Sequence, residues 1–330
     1  MSDSANLEDE DDILELVVSE EDEGRRLDQV MADHFEISRS QLEKHLARGA
    51  VTVDGAPPVR GKRTPVTVGA HICYRPPPPE PLELLPEEMD LSILFEDEHI
   101  LALDKPAHVV VHPGEGHARG TLLAGVLHHL GKLPDTDVVR PGVVHRLDKG
   151  TTGVIVFAKS LDAHHGLVEA FKGREVQKTY LAITQGVPKP REGSFDTFYG
   201  RHPAHRQRFS SRVQTGKRAL THYEVLEAYP GAASVQVALE TGRTHQIRVH
   251  FADNGHPLVG DVTYARRKVV RDPESQKACD VLDRPALHAW ELEMAHPITG
   301  EPLHLTAPMP PDLVELVEKL RKVAELRKRV

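Results

Sequence analysis

The chain has 330 residues, 39% apolar and 28% charged, which is enough for two packed domains, and no apolar run approaches the length of a membrane-spanning helix. Its two cysteines, Cys73 and Cys279, lie outside any C-x-x-C spacing, which excludes a disulfide framework or zinc ribbon and points to a reducing compartment. The net charge of −9 hides an uneven distribution: residues 1–24 carry eleven acids and no Lys or Arg, and the remainder sets 41 basic residues against 39 acidic.

In chain order, residues 1–24 read as an acidic disordered tail, because like charges repel and there is little to bury. The opening MSDSANLEDEDD has neither the basic start nor the apolar stretch of a secretory signal, so a cytoplasmic location is expected. Residues 25–74 read as a small α+β module with nine basic and five acidic residues between Arg25 and Pro79. Leu27, Val30, Met31 and Phe35 recur at helical spacing, and Ser38 is the N-cap candidate for a second helix through Leu42 and Leu46. "AVTVDG" alternates as a strand into a turn, and "TPVTVGAHICY" predicts a strand pair around Gly69. Residues 75–88, with six prolines, read as a stiff linker.

Residues 89–330 form the larger domain. "HILALDKP", "GVVH", "GVIVFAK", "TYLAITQG", "LTHYEVLEAY" and "SVQVALET" predict strands, the last two a hairpin across a Pro-Gly turn. "GTLLAGVLHHLG", "AHHGLVEAFKG", "THQIRVHFADNG" and "PDLVELVEKLRKVAELRKR" predict helices. Strands outnumber helices without regular alternation, so the fold class is α+β with a mixed, mainly antiparallel sheet. No glycine-rich phosphate-binding motif is present, which disfavours nucleotide-cofactor chemistry.

Asp148, in "HRLDKGTTG", is a lone acid at a turn between two apolar runs; alone it reads as an ordinary turn residue. A reactive role needs a cation to keep it ionised and a group that moves protons. Tyr180 and the cluster Arg243, His245, Arg248 and His250 offer such company. Arg248 stands between Ile247 and Val249, and an arginine carried into a cleft normally has a carboxylate or phosphate partner. The pairs His128-His129 and His164-His165 lack a metal-binding arrangement. Between Tyr199 and Arg218 lie six basic residues and no acid, the footprint of a polyanion binder. The residues alone therefore reach a two-domain RNA- or polyanion-binding protein with Asp148 as a candidate reactive group.

"HRLDKGTTG", "LALDKPAHVVVHPGEG", "KTYLAITQG", "GRTHQIRVH" and "HPLVGDVTY", in that family's order, resemble the RluA/RluD family of RNA pseudouridine synthases from about Leu91 onward. The stretch "RRLDQVMADHFEISRSQLEKHLARGAVTVDG" resembles the S-four-type RNA-binding domain, with Asp54 at a turn where that domain often carries Asn. The resemblance implies Asp148 as catalytic carboxylate, Tyr180 as the aromatic that stacks on the target uracil, and Arg248 as the base paired with the carboxylate. It also implies that Arg146 helps displace the target base and that His145, Lys178 and Arg243 bind substrate. Arg201, Arg206 and Arg208, and Arg39 and Lys44 of the first module, are expected on the RNA backbone. Isomerising uridine adds no outside group, so no cofactor or metal is expected. The implied substrate is structured RNA, most often of the large ribosomal subunit, handled by a monomer. A catalytically silent RNA-binding or ribosome-assembly factor on the same scaffold is the alternative.

Overall fold

The computed structural model describes residues 14–35, 37, 39–75, 84–113, 119–134, 141–202, 205–265, 270 and 272–328. The chain divides into two units, 1–81 and 82–330.

In the first unit, α1 (Leu27–His34) and α2 (Arg39–Ala47) share a core with a three-stranded antiparallel sheet. Its order is β1 (Leu14–Val17), β3 (His71–Tyr74), β2 (Val51–Val53). Leu27, Val30 and Met31 are fully buried, as their helical spacing predicts, beside Leu42 and Ile72. The expected strand pair around Gly69 is a single strand, β3, preceded by a turn in which the Ala70 N–H donates to the Thr67 carbonyl at 3.0 Å. Ser38 lies outside the described residues.

The acidic segment departs from the disorder expected of it. Leu14–Val17 alternates apolar and polar residues and pairs along β3 in register Leu14–Tyr74 to Val17–His71. Asp22 is buried and receives both Arg25 and the His34 Nε2, at 2.8 Å for the latter. Charge repulsion is overridden here because one acid finds Arg25 and the ring of His34, and four residues find a sheet edge. Residues 84–88 likewise leave the expected linker. Leu84 and Met89 pack on the core beside α3 (Leu122–Leu130), and the Glu87 N–H donates to the Ala124 carbonyl at 3.1 Å.

The second unit is built on one large mixed sheet. In spatial order it runs β4 (Ile93–Glu96), β5 (Ile100–Lys105), β6 (Thr152–Ala158), β12 (Leu287–Ala295), β7 (Gln177–Gln185), β11 (Ala232–Leu239), β10 (Lys217–Tyr229), β8 (Glu192–His202), β9 (His205–Ser210). β13 (Pro302–Thr306) pairs beside β12. Among the described residues every pairing is antiparallel except β6 with β12. The β10–β11 hairpin forms as the sequence predicts, and β8 and β9 fold what reads there as a basic loop into a second hairpin. The expected strand at "GVVH" is reduced to one bridge, Val143 with Phe157, because Gly142 turns the chain at φ +75°.

Helices cover the sheet. α3 starts at Thr121, whose Oγ1 accepts the Ala124 N–H at 3.3 Å, and stops at left-handed Gly131. α4 (Leu161–Gly173) is capped in the same way by Ser160. α5 (Gln246–Asp253) is buried from Gln246 to Phe251, and α6 (Pro273–Cys279) packs with the final helix α7 (Pro311–Lys328).

Candidate active site

The catalytic candidate is carried on the turn that feeds β6. Residues 145–148 point alternately inward and outward. His145 Nε2 accepts the Val156 N–H at 2.9 Å and its ring stacks on Phe171 at 4.6 Å. Burial first, and the charge of Lys178 second, pull His145 down to about 3. Arg146 is exposed, Leu147 enters the core, and Asp148 faces the cleft with 18% of its side chain accessible.

Two buried cations hold this turn from below by its carbonyl groups. Lys105, at the end of β5, donates from Nζ to the carbonyls of Pro106 (2.7 Å), Val109 (2.8 Å) and Lys149 (3.3 Å). Burial pulls its ammonium down to about 7 against the attraction of Asp148, but three carbonyls match the three N–H groups of the charged form. The hydrogen bonds favour the charge. Arg284 donates from Nη1 to the Gly150 carbonyl at 3.2 Å and is itself gripped by Asp312 of α7, at 2.7 Å through both Nε and Nη2.

Glycine serves the turn differently from a loop that must approach RNA. Gly153 has φ +110°, and a Cβ there would stand 2.0 Å from the Ala289 carbonyl oxygen. It allows β6 to lie against β12 where the two run parallel. At Gly150 a Cβ would meet Pro285 at 2.9 Å, so this glycine too makes room for protein.

Opposite the turn, α5 presents Arg248, buried to 7% exposure. Its Nη1 donates to Asp148 Oδ2 at 3.1 Å, while Nε and Nη2 form a fork on Asp261 at 2.8 and 3.0 Å. Burial opposes the guanidinium's charge, but Asp261 and then Asp148 outweigh it and raise its pKa above the ordinary value. Asp261 also accepts the N–H groups of Thr263 (3.1 Å) and Tyr264 (3.2 Å), so this second carboxylate is fully committed.

His245, in the left-handed region at φ 59°, brings Nε2 within 3.7 Å of Asp148 Oδ2. The Tyr264 oxygen accepts the Phe209 N–H at 3.2 Å and lies 2.8 Å from His245 Nδ1, which leaves Nε2 as the ring nitrogen that faces Asp148. Burial lowers the His245 pKa, against the pull of Asp148, and Arg248 and Arg146 lower it further while Asp261 opposes them.

Asp148 stands between two cavities. An outer cleft of roughly 500 Å3 is walled by Val110, His112, Lys149 and Pro285. An inner pocket of roughly 50 Å3 adds Tyr180, Thr151, Leu239 and Leu287, and both share Arg146, Asp148, His245 and Arg248. Tyr180 reaches the inner pocket from β7, paired with Val237 and Ala289. Burial, then the charge of Asp148, raise its pKa above that of an ordinary phenol. At neutral pH Tyr180 is therefore a protonated phenol, and its oxygen can pass a proton on but cannot hold a second one as a strong base.

Asp148, Tyr180, Arg248 and Arg146 thus come together as expected. His145 does not join them, because its ring is spent on Val156 and Phe171. Lys178 lies two residues before Tyr180, half-buried, with Nζ 5.9 Å from the Phe171 ring centre; burial, then Arg174, lower its pKa. Arg243 is exposed at the start of α5, its Nε donating to the Arg218 carbonyl at 3.4 Å. On the β8–β9 hairpin, Arg201 is exposed with its guanidinium over Phe209 at 4.4 Å, Arg208 is half-buried, and the Arg206 side chain lies outside the described residues. The basic segment is acid-free only along the chain, since Asp196 on β8 forms a fork with Arg218 at 2.8 and 2.5 Å. In the first unit Lys44 is exposed on α2, and the Arg39 side chain lies outside the described residues. Sequence reasoning missed Lys105, Arg284, Asp261 and Tyr264; the one available signal was that three of them stand in or beside the quoted motifs.

Residues 99–253 match the family described as RNA pseudouridylate synthase. The ribosomal large subunit pseudouridine synthase D of Pseudomonas aeruginosa is 44% identical over 92% of this chain and 94% of its own. The protein of the same name in Nitrosomonas europaea is 41% identical over 98% and 92%. The chain belongs to the RNA pseudouridine synthases. The solved human RNA pseudouridylate synthase domain containing 4 superposes with a TM-score of 0.55 at 28% identity, covering 70% of this chain and 93% of that one. A pseudouridine synthase is an isomerase that acts on RNA. It breaks the N1–ribose bond of uridine, turns the uracil, and joins its carbon 5 to the ribose. The atoms balance within the substrate, since carbon 5 loses a proton and N1 gains one. The turn and α5 place the carboxylate of Asp148 3.1 Å from the buried guanidinium of Arg248, beside the pocket that Tyr180 lines.

Proposed function

We propose that this pseudouridine synthase modifies uridines of large-subunit ribosomal RNA, with Asp148 as the nucleophilic carboxylate. The observation that carries this reading is the Asp148–Arg248–Asp261 array at the mouth of the Tyr180 pocket. Arg248 pairs with Asp148, and Asp261 holds Arg248 in place so that it does not swing onto a phosphate. The large-subunit assignment is supported by the names of relatives that match nearly the whole chain.

The target base must leave its stack before it reaches Asp148, at a cost of a few kcal/mol. Stacking on Tyr180 and the exposed Arg146 at the rim of both cavities offset that cost. Once the base has rejoined, Tyr180 relays the proton of carbon 5 through its oxygen or through water. The S-four-type unit, with Arg39 and Lys44, and the β8–β9 hairpin, with Arg201, Arg206 and Arg208, hold the RNA backbone. A monomer is proposed, and because the isomerisation adds no outside group no cofactor or metal is expected.

The test is tritium release from large-subunit RNA labelled at uracil carbon 5. Asp148→Asn is expected to abolish release while RNA affinity stays within a few fold of wild type. Turnover by the Asn variant would sink the nucleophile assignment. Mapping pseudouridines in cells that lack the protein then identifies the uridines, as sites that return with wild type and not with Asp148→Asn.

A further inference from the structure

The inner pocket contains a polar group that the chemistry above leaves idle. Thr151 closes the catalytic turn, its N–H donating to the Asp148 carbonyl at 3.0 Å, and is 2% exposed. Its Oγ1 is buried and has no hydrogen-bond partner among the described residues, although Thr151 lines the same pocket as Asp148 and Tyr180. A buried hydroxyl left in that state costs about 1–3 kcal/mol.

The neighbouring polar groups are committed elsewhere. Gln246 spends Nε2 on the Leu220 carbonyl and Thr221, and its Oε1 accepts from Thr241 and the Arg243 N–H. Arg248 is divided between Asp261 and Asp148. The adjacent hydroxyl, Thr152 Oγ1, is bonded to His288 Nδ1 at 2.9 Å. Much of the remaining lining is apolar: Leu147, Leu239, Ile247 and Leu287. Thr151 Oγ1 is therefore a buried polar atom of this pocket that has a hydrogen bond to give to an incoming polar edge.

We propose that Thr151 Oγ1 binds the polar edge of the flipped uracil and stays bonded to it while the base turns. The proposal rests on the pseudouridine synthase reading and deepens it at the same site. Uracil presents carbonyl oxygens before the N1–ribose bond breaks, and an additional N–H once N1 has taken up a proton. A guanidinium offers donors alone, whereas a hydroxyl rotates and serves as donor or acceptor. Thr151 donates to a uracil carbonyl before the turn and accepts an N–H after it, so its hydroxyl is paired at both stages.

The experiment compares Thr151→Val and Thr151→Ser with wild type in single-turnover tritium release from large-subunit RNA, alongside thermal melting. Valine keeps the volume and removes the hydroxyl. It is expected to leave the melting midpoint unchanged or raised, because an unpaired buried group is gone, and to slow turnover at least tenfold. Serine keeps the hydroxyl and is expected within about threefold of wild type. Valine turnover within twofold of wild type would overturn the proposal. So would a loss of turnover accompanied by a lower melting midpoint in both variants, which assigns the side chain to folding. Failure of the underlying reading has a separate signature, since wild type itself would then release no tritium.

Discussion

At the scale of single residues, the site depends on groups that act through one another. Tyr264 is not among the residues lining either cavity, yet its hydroxyl lies 2.8 Å from His245 Nδ1 while the other ring nitrogen faces Asp148. A hydrogen bond donated to Nδ1 stabilises the neutral ring, because the protonated ring has no lone pair there to receive it. With the Tyr264 hydroxyl as that donor, its removal raises the His245 pKa, so the ring becomes charged at a higher pH as the solution is acidified. In Tyr264→Phe the acid limb of the turnover profile is expected to move to higher pH, with turnover near pH 8 reduced less than at pH 6. A profile lowered equally at every pH would assign Tyr264 to packing alone.

Arg248 shows what could be read at this scale and what could not. Its place between Ile247 and Val249 announced burial, and burial announced a carboxylate partner; the structure supplies two. Asp261 stood inside the quoted HPLVGDVTY, but its pairing with Arg248 could not be read, because it lies thirteen residues on, past the end of α5, at no periodic spacing. For His145 the family resemblance implied substrate contact, whereas successive residues of an extended turn face opposite ways and its ring lies against Phe171.

At the scale of elements, the β8–β9 hairpin is the candidate backbone clamp. Each phosphate neutralised by a cation contributes about 0.7–0.9 to the slope of log affinity against log salt. Replacing Arg201, Arg206 and Arg208 by Gln is expected to flatten that slope by roughly two in a filter-binding titration; an unchanged slope would remove the hairpin from the interface. Arg218 is already paired with Asp196, so its loss is expected to matter less. The hairpin's charge was visible in the sequence and its strands were not. β8 alternates residues of mixed exposure, giving a weak two-residue period that composition overwhelms.

At the scale of the molecule, the acidic amino-terminal segment belongs in part to the first unit. β1 covers one side of β3, and Asp22 joins Arg25 and His34. Deleting residues 1–24 is expected to lower that unit's melting midpoint by at least about 4 °C, the shift that ~1 kcal/mol produces in a small domain. Deleting residues 1–13 is expected to leave it unchanged, and calorimetry of the two full-length deletion proteins distinguishes the cases. Equal midpoints would return β1 to the tail. Composition gave the segment's charge correctly, but the pairing with β3 depends on chain more than fifty residues away.

The hold of Arg284 on Gly150 has a consequence in time. A growing chain emerges amino end first, so the turn carrying Asp148 is made long before the two residues that steady it, Arg284 and, in α7, Asp312. Arg248, a hundred positions behind its carboxylate, arrives in between. An unfinished chain can expose the reactive acid but cannot aim it. The residues that steady the turn are thus supplied to it late, from chain more than a hundred positions behind.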